Sequence, residues 1–387
     1  MKFTCMQSIK KYHSHLYCFL ISIGLIITGC HSNHKKTSGQ QPPEKVVSSY
    51  YKYLQGTVGT HKVIIQLIKY QHRYEGVFIN DSIGKPLEIT GEKDSSGRLT
   101  LISYDHYNPV DTLTGAFPQP GVFQGDCYDS AGNHTTFTLQ EIYPPGTYQW
   151  KVYTLSDSLA YDASRQNSPQ ARVQMILLWP KGNENLMKDT IIKYYCGRDT
   201  ALVNPAQVIR SPANSFFAEY KNLKRNLKNS TVGEIAAIFN WESDVDMKIL
   251  WNADSIVSIA FQSYQYTGGA HGLSNTLLSV FDLKENRSLT PSDIFKQGYE
   301  QELRQALEQE LREQYDIPDG APLNGDHGIL FDKQLALTKN FYLTGKGIGF
   351  IYNLYEVAPY AVGQINLYIP FSKIANVIQP AYLNMED

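Results

Sequence analysis

The sequence predicts an α+β protein: an N-terminal all-β antiparallel barrel or sandwich, followed by an α+β domain with a mainly antiparallel sheet. Three observations predict this class. Short apolar and β-branched runs recur in the first half, one amphipathic helix lies in the second half, and strands do not alternate regularly with helices. The length of 387 residues allows two or three domains, and a hydrophobic content of 42% is that of a globular protein.

Residues 50–150 are predicted to be all β. Seven short runs are separated by turn clusters such as 129–133. The runs are 60–70, 74–79, 86–91, 98–104, 111–117, 121–128 and 135–142. Their spacing is typical of an antiparallel sandwich or an up-and-down barrel. We expect side chains rather than a ligand to fill the interior.

The second domain is predicted to cover residues 170–387, after a linker at 151–169 that is rich in Ser, Asp and Gln. Strands are predicted at 172–179, 241–251, 255–265, 277–282, 341–344, 347–353 and 364–369. Helices are predicted at 215–228 and 372–378. The segment 189–195 fits a strand or a helix, and the pattern does not decide between them.

The clearest helix is predicted at 299–315. Apolar side chains recur there every four residues and form one stripe. The stripe consists of Tyr299, Leu303, Leu307, Leu311 and Tyr315. A shorter helix is predicted to start at Thr290, because Thr290 can cap a helix and Pro291 suits its first position.

The N-terminus is predicted to be a targeting segment. Three lysines precede an apolar run at 16–27, which is too short for a comfortable membrane span but typical of a secretory signal. We therefore expect residues 1–29 to be a signal peptide. Residues 30–49 are polar and contain two adjacent prolines, which predicts a flexible tether.

The sequence Ile27-Thr28-Gly29-Cys30 resembles the lipobox of bacterial lipoproteins. This resemblance implies that Cys30 is acylated and attaches the protein to a membrane. Cys127 and Cys196 would then be the two remaining cysteines. They either form a disulfide in an oxidising compartment or pack as separate thiols.

The charge balance excludes the basic footprint of a nucleic-acid-binding protein, so we expect no nucleic acid partner. The whole chain has a formal net charge of −2. Removal of residues 1–29 takes away three lysines and no acidic residue, which leaves 32 basic against 37 acidic residues, a net charge of −5.

The segment 264–272, with sequence YQYTGGAHG, resembles the signature Y-x-Y-T-G-G-A-H-G of a family of extracytoplasmic domains. That family includes the outer part of the lysozyme-sensing anti-sigma factor RsiV and the non-catalytic part of peptidoglycan deacetylases such as PdaC. Further family segments match 281–283, 289–295, 355–363 and 369–371. The resemblance covers about residues 170–380 in order and spacing.

The resemblance implies a non-catalytic binding or sensing protein of the cell envelope that faces the periplasm or the cell exterior. The partner that it implies is a lysozyme-like protein or a peptidoglycan fragment. The sequence shows neither a deacetylase domain nor a sigma-binding segment, so we expect the binding role alone to carry over. The candidate binding residues are Tyr264, Tyr266, Gly268, Gly269, His271, Tyr355, Glu356 and Tyr360.

No catalytic or metal motif accompanies His271. The chain contains no G-x-S-x-G, H-E-x-x-H or C-x-x-C sequence, and we expect neither a cofactor nor a metal. His271 either fixes a tight turn or supplies an imidazole to a hydrolase of envelope polymers. A third alternative is an accessory structural lipoprotein in an envelope complex.

An acidic row is predicted on one strand. Glu242, Asp244 and Asp246 alternate, so they share one face. We expect that face to be solvated, and the alternatives are a site for a hard cation or for a basic partner.

Overall fold

The computed structural model describes residues 49–182, 185–197, 204–226 and 236–383. The predicted signal peptide, Cys30 and nearly all of the predicted tether lie outside these residues. The described chain has the predicted α+β class, because an antiparallel barrel precedes a domain of mixed sheets with few helices.

Eight antiparallel strands form the barrel. They are β1 (Tyr50–Val58), β2 (His61–Tyr70), β3 (Arg73–Asn80), β4 (Pro86–Lys93), β5 (Leu99–Asp105), β6 (Asn108–Gln119), β7 (Val122–Asp129) and β8 (His134–Glu141). The barrel closes where β1 pairs with β8, with Leu54 opposite Glu141 and Val58 opposite Phe137. Of the two predicted architectures, the structure therefore has the barrel and not the sandwich.

Apolar side chains fill the barrel, as predicted. Every strand contributes at least one of them, including Leu54 from β1 and Leu139 from β8. Strand β1 is the one strand of the barrel that the sequence pattern did not predict. Its residues mix tyrosine with lysine and glutamine and contain no run of β-branched residues, so the usual strand signal is weak.

A six-stranded sheet follows the barrel, in the order β14-β13-β12-β11-β10-β9. Its strands are β9 (Trp150–Ala160), β10 (Gln170–Pro180), β11 (Trp241–Ala253), β12 (Ile256–Tyr266), β13 (Leu273–Asp282) and β14 (Arg287–Leu289). The linker predicted at 151–169 is wrong for its first part, because β9 pairs with β10 along its whole length. This edge strand exposes Ser156, Asp157 and Ser158, which gave it the polar composition of a linker.

Strands β10 and β11 run parallel, whereas the other neighbours in this sheet are antiparallel. A parallel pair needs a crossover connection. Helices α1 (Asn185–Cys196) and α2 (Pro205–Asn226) lie in this crossover and share a core with the sheet. The ambiguous segment 189–195 is therefore helical. Helix α2 starts earlier than predicted, because Asn204 Oδ1 accepts a hydrogen bond from Ala206 N at 3.0 Å and caps it.

A three-stranded antiparallel sheet completes the domain, with β15 (Phe341–Leu343), β16 (Gly347–Tyr352) and β17 (Ile365–Pro370). The other helices are α3 (Pro291–Ile294), α4 (Glu300–Tyr315), α5 (Phe371–Ile374) and α6 (Pro380–Leu383). Helix α4 buries Leu303, Leu307 and Leu311, which confirms its predicted stripe. The predicted start at Thr290 is also confirmed, because Asp293 Oδ2 accepts a hydrogen bond from Thr290 N at 2.8 Å.

The barrel packs against both cores of the C-terminal region. Tyr51 and Ile68 share a core with β10–β12 and the crossover helices. Val77 and Ile79 share a second core with α4 and the three-stranded sheet. The described residues accordingly form one compact unit, in which the two predicted domains share their cores.

Two remaining predictions concern cysteines and membranes. Cys127 and Cys196 are both free, so the disulfide alternative is wrong. Cys127 is buried in the barrel, where burial raises the pKa of its thiol to about 11. Among the residues that the structure describes, no helix combines the length and apolar character needed to cross a membrane.

Candidate functional site

The centre of the candidate site is a ring stack between two loops. His271, in the loop between β12 and β13, stacks on Tyr360 with ring centroids 3.8 Å apart and an interplanar angle of 21°. The Tyr360 hydroxyl donates a hydrogen bond to Gly272 O at 3.0 Å. The loop between β16 and β17 is thereby fixed against the loop that carries the glycine-rich signature.

Glycines give the signature loop its shape. Gly268 and Gly269 have φ angles of +92° and +107°, in the left-handed region that other residues avoid. The Tyr266 hydroxyl donates to Gly269 O at 3.0 Å and holds the turn. Gly272 lies against the Tyr264 ring, so closely that a Cβ atom there would lie 2.4 Å from the ring.

Tyr355 lies beside this stack and is half exposed. Its side chain is 51% exposed, and its backbone has a φ of +65°. Its hydroxyl lies 3.5 Å from His271 Nε2, and its ring centroid lies 5.7 Å from that of Tyr360. We call Tyr264, Tyr266, His271, Tyr355 and Tyr360 the aromatic cluster.

Glu356, another candidate binding residue, lies outside the aromatic cluster and shapes its own loop. Its carboxylate accepts a hydrogen bond from Asn353 N at 2.8 Å and so stabilises its own loop. Asn353 in turn binds β13, because its Oδ1 accepts from Thr276 N at 2.7 Å and its Nδ2 donates to Thr276 O at 3.0 Å. These bonds position the loop that carries Tyr355 and Tyr360.

The acidic row lies next to the aromatic cluster. Glu242 pairs with Tyr266, and Asp244 with Tyr264, in the register of β11 and β12. Paired residues of neighbouring strands share a face of the sheet. Burial, followed by the nearby Glu242 carboxylate, raises the pKa of Tyr264, so its hydroxyl remains a donor at neutral pH.

The acidic row is not uniformly solvated, which corrects the prediction. Glu242 is exposed, but the barrel covers Asp246, whose Oδ1 is buried with no hydrogen-bond partner among the described residues. Burial, followed by the carboxylate of Glu75, raises the pKa of Asp246 to about 7. Burial, followed by Glu242, raises the pKa of Asp244 to about 6.

A polar cavity of about 580 Å³ continues from the acidic row toward the barrel. Its charged lining includes Arg73, Arg172, Glu242 and Asp244. Arg73 is the first residue of β3 and comes from the barrel, whereas the other three lie on the six-stranded sheet. We call this cavity the polar cleft.

The sequence did not point to Arg73, Arg172 or Gln174. No motif connects these residues, which lie up to about 100 positions apart. They meet because the parallel pairing of β10 with β11 and the docking of the barrel bring them to one face. The alternation of polar residues along β10 was the one available signal, and the apolar run 175–179 obscured it.

The chemistry available at this site favours binding. The aromatic cluster offers aromatic faces and hydroxyl donors, and the polar cleft offers carboxylate acceptors and guanidinium groups. Within the described residues, no group of three or more His, Cys, Asp or Glu side chains is arranged to hold a metal ion. His271 Nδ1 lies 3.2 Å from Gly272 O, and this contact within the loop supports the prediction that His271 fixes a turn.

Two family models match parts of this chain. The model described as "Deacetylase PdaC" matches residues 179–274, and the one described as "Protein of unknown function (DUF3298)" matches residues 292–372. The first match contains His271 and the second contains Tyr360, so the ring stack joins the two matched regions.

The proteins that are similar to the chain include one curated relative and two solved structures. The peptidoglycan-N-acetylmuramic acid deacetylase PdaC of Bacillus subtilis is 27% identical over 148 residues, which are 37% of this chain and 30% of that protein. A DUF3298 family structure from Bacteroides fragilis is 23% identical, has a TM-score of 0.53, and covers 62% of this chain and 97% of that one. Another DUF3298 structure, from Pseudomonas aeruginosa, is 16% identical with a TM-score of 0.39, covering 60% and 96%.

The chain thus spans less than a third of the length of PdaC. The Bacteroides structure shows a likeness of fold alone. The two family matches and the distant relative together indicate that residues 179–372 resemble domains of the PdaC and DUF3298 type.

Proposed function

We propose that this protein is a lipid-anchored, non-catalytic binding protein of the cell envelope that recognises a fragment of peptidoglycan. The observation that carries the proposal is the aromatic cluster, in which a half-exposed Tyr355 lies beside the His271–Tyr360 stack. Fixed, amphipathic rings beside polar groups are suited to binding sugars and short peptides.

The similarity to PdaC supports the choice of ligand. That relative is named as a deacetylase of peptidoglycan, and the PdaC family model matches residues 179–274, which include the signature loop. The matched part is a minor share of the relative, so the proposal takes over peptidoglycan as a binding partner and leaves the deacetylase reaction with PdaC.

The arrangement of side chains favours binding over hydrolysis. A general base needs a free nitrogen aimed at a nucleophile or a water. His271 instead stacks on Tyr360, and its two ring nitrogens face Gly272 O and the Tyr355 hydroxyl. The hydrolase alternative therefore has less support than the binding role.

A lysozyme-like protein is the second candidate partner. Leu273, Phe331 and Tyr355 are each more than half exposed. Phe331 and Tyr355 belong to neighbouring segments, because Phe331 N donates to Val357 O at 2.9 Å. Exposed apolar side chains that lie close together are typical of protein interaction sites, and the net charge of −5 expected after removal of residues 1–29 would attract a basic partner.

The test is binding of the purified full-length chain to insoluble peptidoglycan and, separately, to immobilised lysozyme. We expect peptidoglycan binding that Tyr355→Ala and His271→Ala weaken about tenfold. Tyr128→Ala and His134→Ala are the matched controls, because both side chains are exposed on the barrel. Binding to lysozyme alone would favour the second partner, and binding to neither would refute the proposal.

The lipid anchor needs its own test. Labelling with a radioactive or clickable fatty acid should mark the wild-type chain and fail in Cys30→Ser, while Cys127→Ser keeps the label. If Cys30→Ser is still labelled, or if the wild type is not, the proposed anchor is wrong.

A further inference from the structure

We propose that the polar cleft and the aromatic cluster form one continuous site for an extended oligosaccharide of N-acetylated hexosamines, with the barrel supplying one wall. This inference rests on the proposed function and specifies its ligand class. It also assigns ligand-binding roles to Arg73, Arg172 and Gln174.

The strand registers define two rows of side chains on one face of the six-stranded sheet. In the first row Ser158 pairs with Arg172, Arg172 with Glu242, and Glu242 with Tyr266. In the second row Ser156, Gln174, Asp244, Tyr264 and Ser274 pair in succession. Neighbouring strands lie about 4.8 Å apart, so the second row spans about 19 Å from β9 to β13.

The barrel borders this face of the six-stranded sheet on one side, and the signature loop borders it on another. Gln174 Nε2 donates a hydrogen bond at 3.3 Å to the hydroxyl of Tyr70, the last residue of barrel strand β2. The barrel also covers Asp246, which would begin a third row. At the β12 and β13 side, Gly272 lies against the Tyr264 ring and accepts a hydrogen bond from Tyr360, so the loop with the His271–Tyr360 stack borders this face. The face is therefore a trough that runs across the strands.

The two ends of the trough differ in chemistry. Tyrosine rings at one end present faces on which the C–H face of a pyranose ring can stack. Arg73, Arg172 and Gln174 at the other end are donors, and Glu242 and Asp244 between them are acceptors. Glu242 is exposed and Asp244 is partly exposed, and both line the polar cleft, so both carboxylates can accept hydrogen bonds from ligand hydroxyl and amide groups.

These features favour a sugar chain over a folded protein. The floor of the trough is polar and recessed, whereas protein interfaces are built around a desolvated apolar centre. Adjacent donors and acceptors match neighbouring hydroxyl groups on a sugar ring. A trough that crosses several strands suits a linear chain of rings better than a single ring.

The test measures affinity of the full-length chain for N-acetylglucosamine oligomers of increasing length, from one to six units. We expect affinity to increase about tenfold between two and five units, because the longer oligomers reach the arginine end. Arg172→Ala and Gln174→Ala should abolish this increase while leaving the affinity for the two-unit oligomer within about twofold. Tyr264→Ala should weaken the binding of oligomers of every length.

Two further variants keep the test decisive. Ser158→Trp fills the arginine end from an exposed position on edge strand β9, so it should block long oligomers without loss of the fold. Arg98→Ala removes an arginine from the exposed barrel surface and should leave the affinity for every oligomer unchanged. Arg73→Ala removes a donor from the polar cleft and should reduce the affinity for the long oligomers.

The outcomes separate this inference from the proposed function. If the protein binds peptidoglycan but its affinity for the oligomers does not depend on their length, the inference about the polar cleft is wrong and the proposed function stands. The same holds if Arg172→Ala and Ser158→Trp have no effect. Absence of binding to both oligomers and peptidoglycan would refute both proposals. Binding to lysozyme that depends on Arg172 would show that the polar cleft binds a protein partner, and would refute an oligosaccharide as its ligand.

Discussion

Lys248 on β11 forms a salt bridge with Glu88 on barrel strand β4, 160 positions away in the sequence. The Lys248 side chain is 13% exposed. Burial acts to lower the pKa of Lys248, but the carboxylates of Glu88 and Glu75 outweigh it and raise the pKa. Lys248 therefore remains charged and links the barrel to the sheet beside Asp246.

Replacement of Lys248 should destabilise the protein. Lys248→Met leaves Glu75, Glu88 and Asp246 without their common cation, and removal of one partner from a buried pair costs more than the pair contributes. Because Glu88 is 53% exposed, we expect a loss of about 1–3 kcal/mol in the free energy of unfolding, measured by urea denaturation. Lys373→Met, which breaks surface contacts to Glu310 and Glu313, should cost less than about 1 kcal/mol. Equal losses would contradict the linking role.

The contribution of Asp246 to stability should fall as pH rises from about 4 to 7, against the smaller opposite effect of His106, whose pKa burial lowers. The folded protein raises the pKa of Asp246 to about 7, so Asp246 retains its proton in this range while the unfolded chain releases it. The unfolded state then binds fewer protons, and the free energy of unfolding decreases with pH. Each unit of pKa difference corresponds to about 1.4 kcal/mol.

The variant Asp246→Asn isolates this effect, because it removes the titrating group and keeps the shape. Its thermal midpoint should vary less between pH 4.5 and 7.5 than that of the wild type. Glu75, whose pKa burial also raises, and Asp244 leave a residual slope. Asp126→Asn, at a partly exposed position on the barrel, should keep the slope of the wild type. An unchanged slope in Asp246→Asn would disprove the assignment.

Gly272 and Tyr264 should behave as a coupled pair. Gly272→Ala places a methyl group 2.4 Å from the Tyr264 ring, and this overpacking should cost about 1–3 kcal/mol. The double variant Gly272→Ala/Tyr264→Ala removes the clash and should recover stability relative to the sum of the single variants. Urea denaturation of all four proteins completes the cycle, and strictly additive losses would exclude the contact.

Asn340 connects the six-stranded sheet to the three-stranded sheet, and we expect its replacement to destabilise the protein. Its Oδ1 accepts from Leu278 N at 2.8 Å, and its Nδ2 donates to Thr276 O at 2.9 Å and to Ile351 O at 3.0 Å. Asn340→Ala removes the hydrogen bonds to Leu278 N and Ile351 O, whereas Thr276 O keeps the bond from Asn353 Nδ2, so we expect a cost of about 1–3 kcal/mol. Asn133→Ala, in an exposed barrel turn, is the matched control for chemical denaturation. A loss as small as that of the control would show that water replaces the amide.

Much of the fold was readable from local patterns. Alternating apolar residues predicted seven of the eight barrel strands, and four-residue periodicity predicted α4 with its buried leucines. Edge strand β9 was missed because an edge strand with one exposed face needs few apolar residues. Strand β1 was missed because tyrosines and a glutamine replace the usual β-branched residues.

The site was predictable in part. The signature loop predicted the neighbourhood of His271, and the ending of the same family predicted that Tyr355 and Tyr360 matter. The stack between His271 and Tyr360 depends on how the loop after β16 folds over β13, which no local pattern encodes. Arg73 and Arg172 were not predictable, because a barrel docked on a sheet brings them together.

The parallel pairing of β10 with β11 has a consequence for biosynthesis. Strand β10 can form a hairpin with β9 as soon as both have been made, but its other edge stays open until Trp241 has been added. That edge belongs to a strand with a run of buried Met, Ile and Leu residues, and open apolar edges recruit other chains. Chains truncated within the crossover should therefore aggregate during synthesis or export, whereas chains that extend past β11 should not.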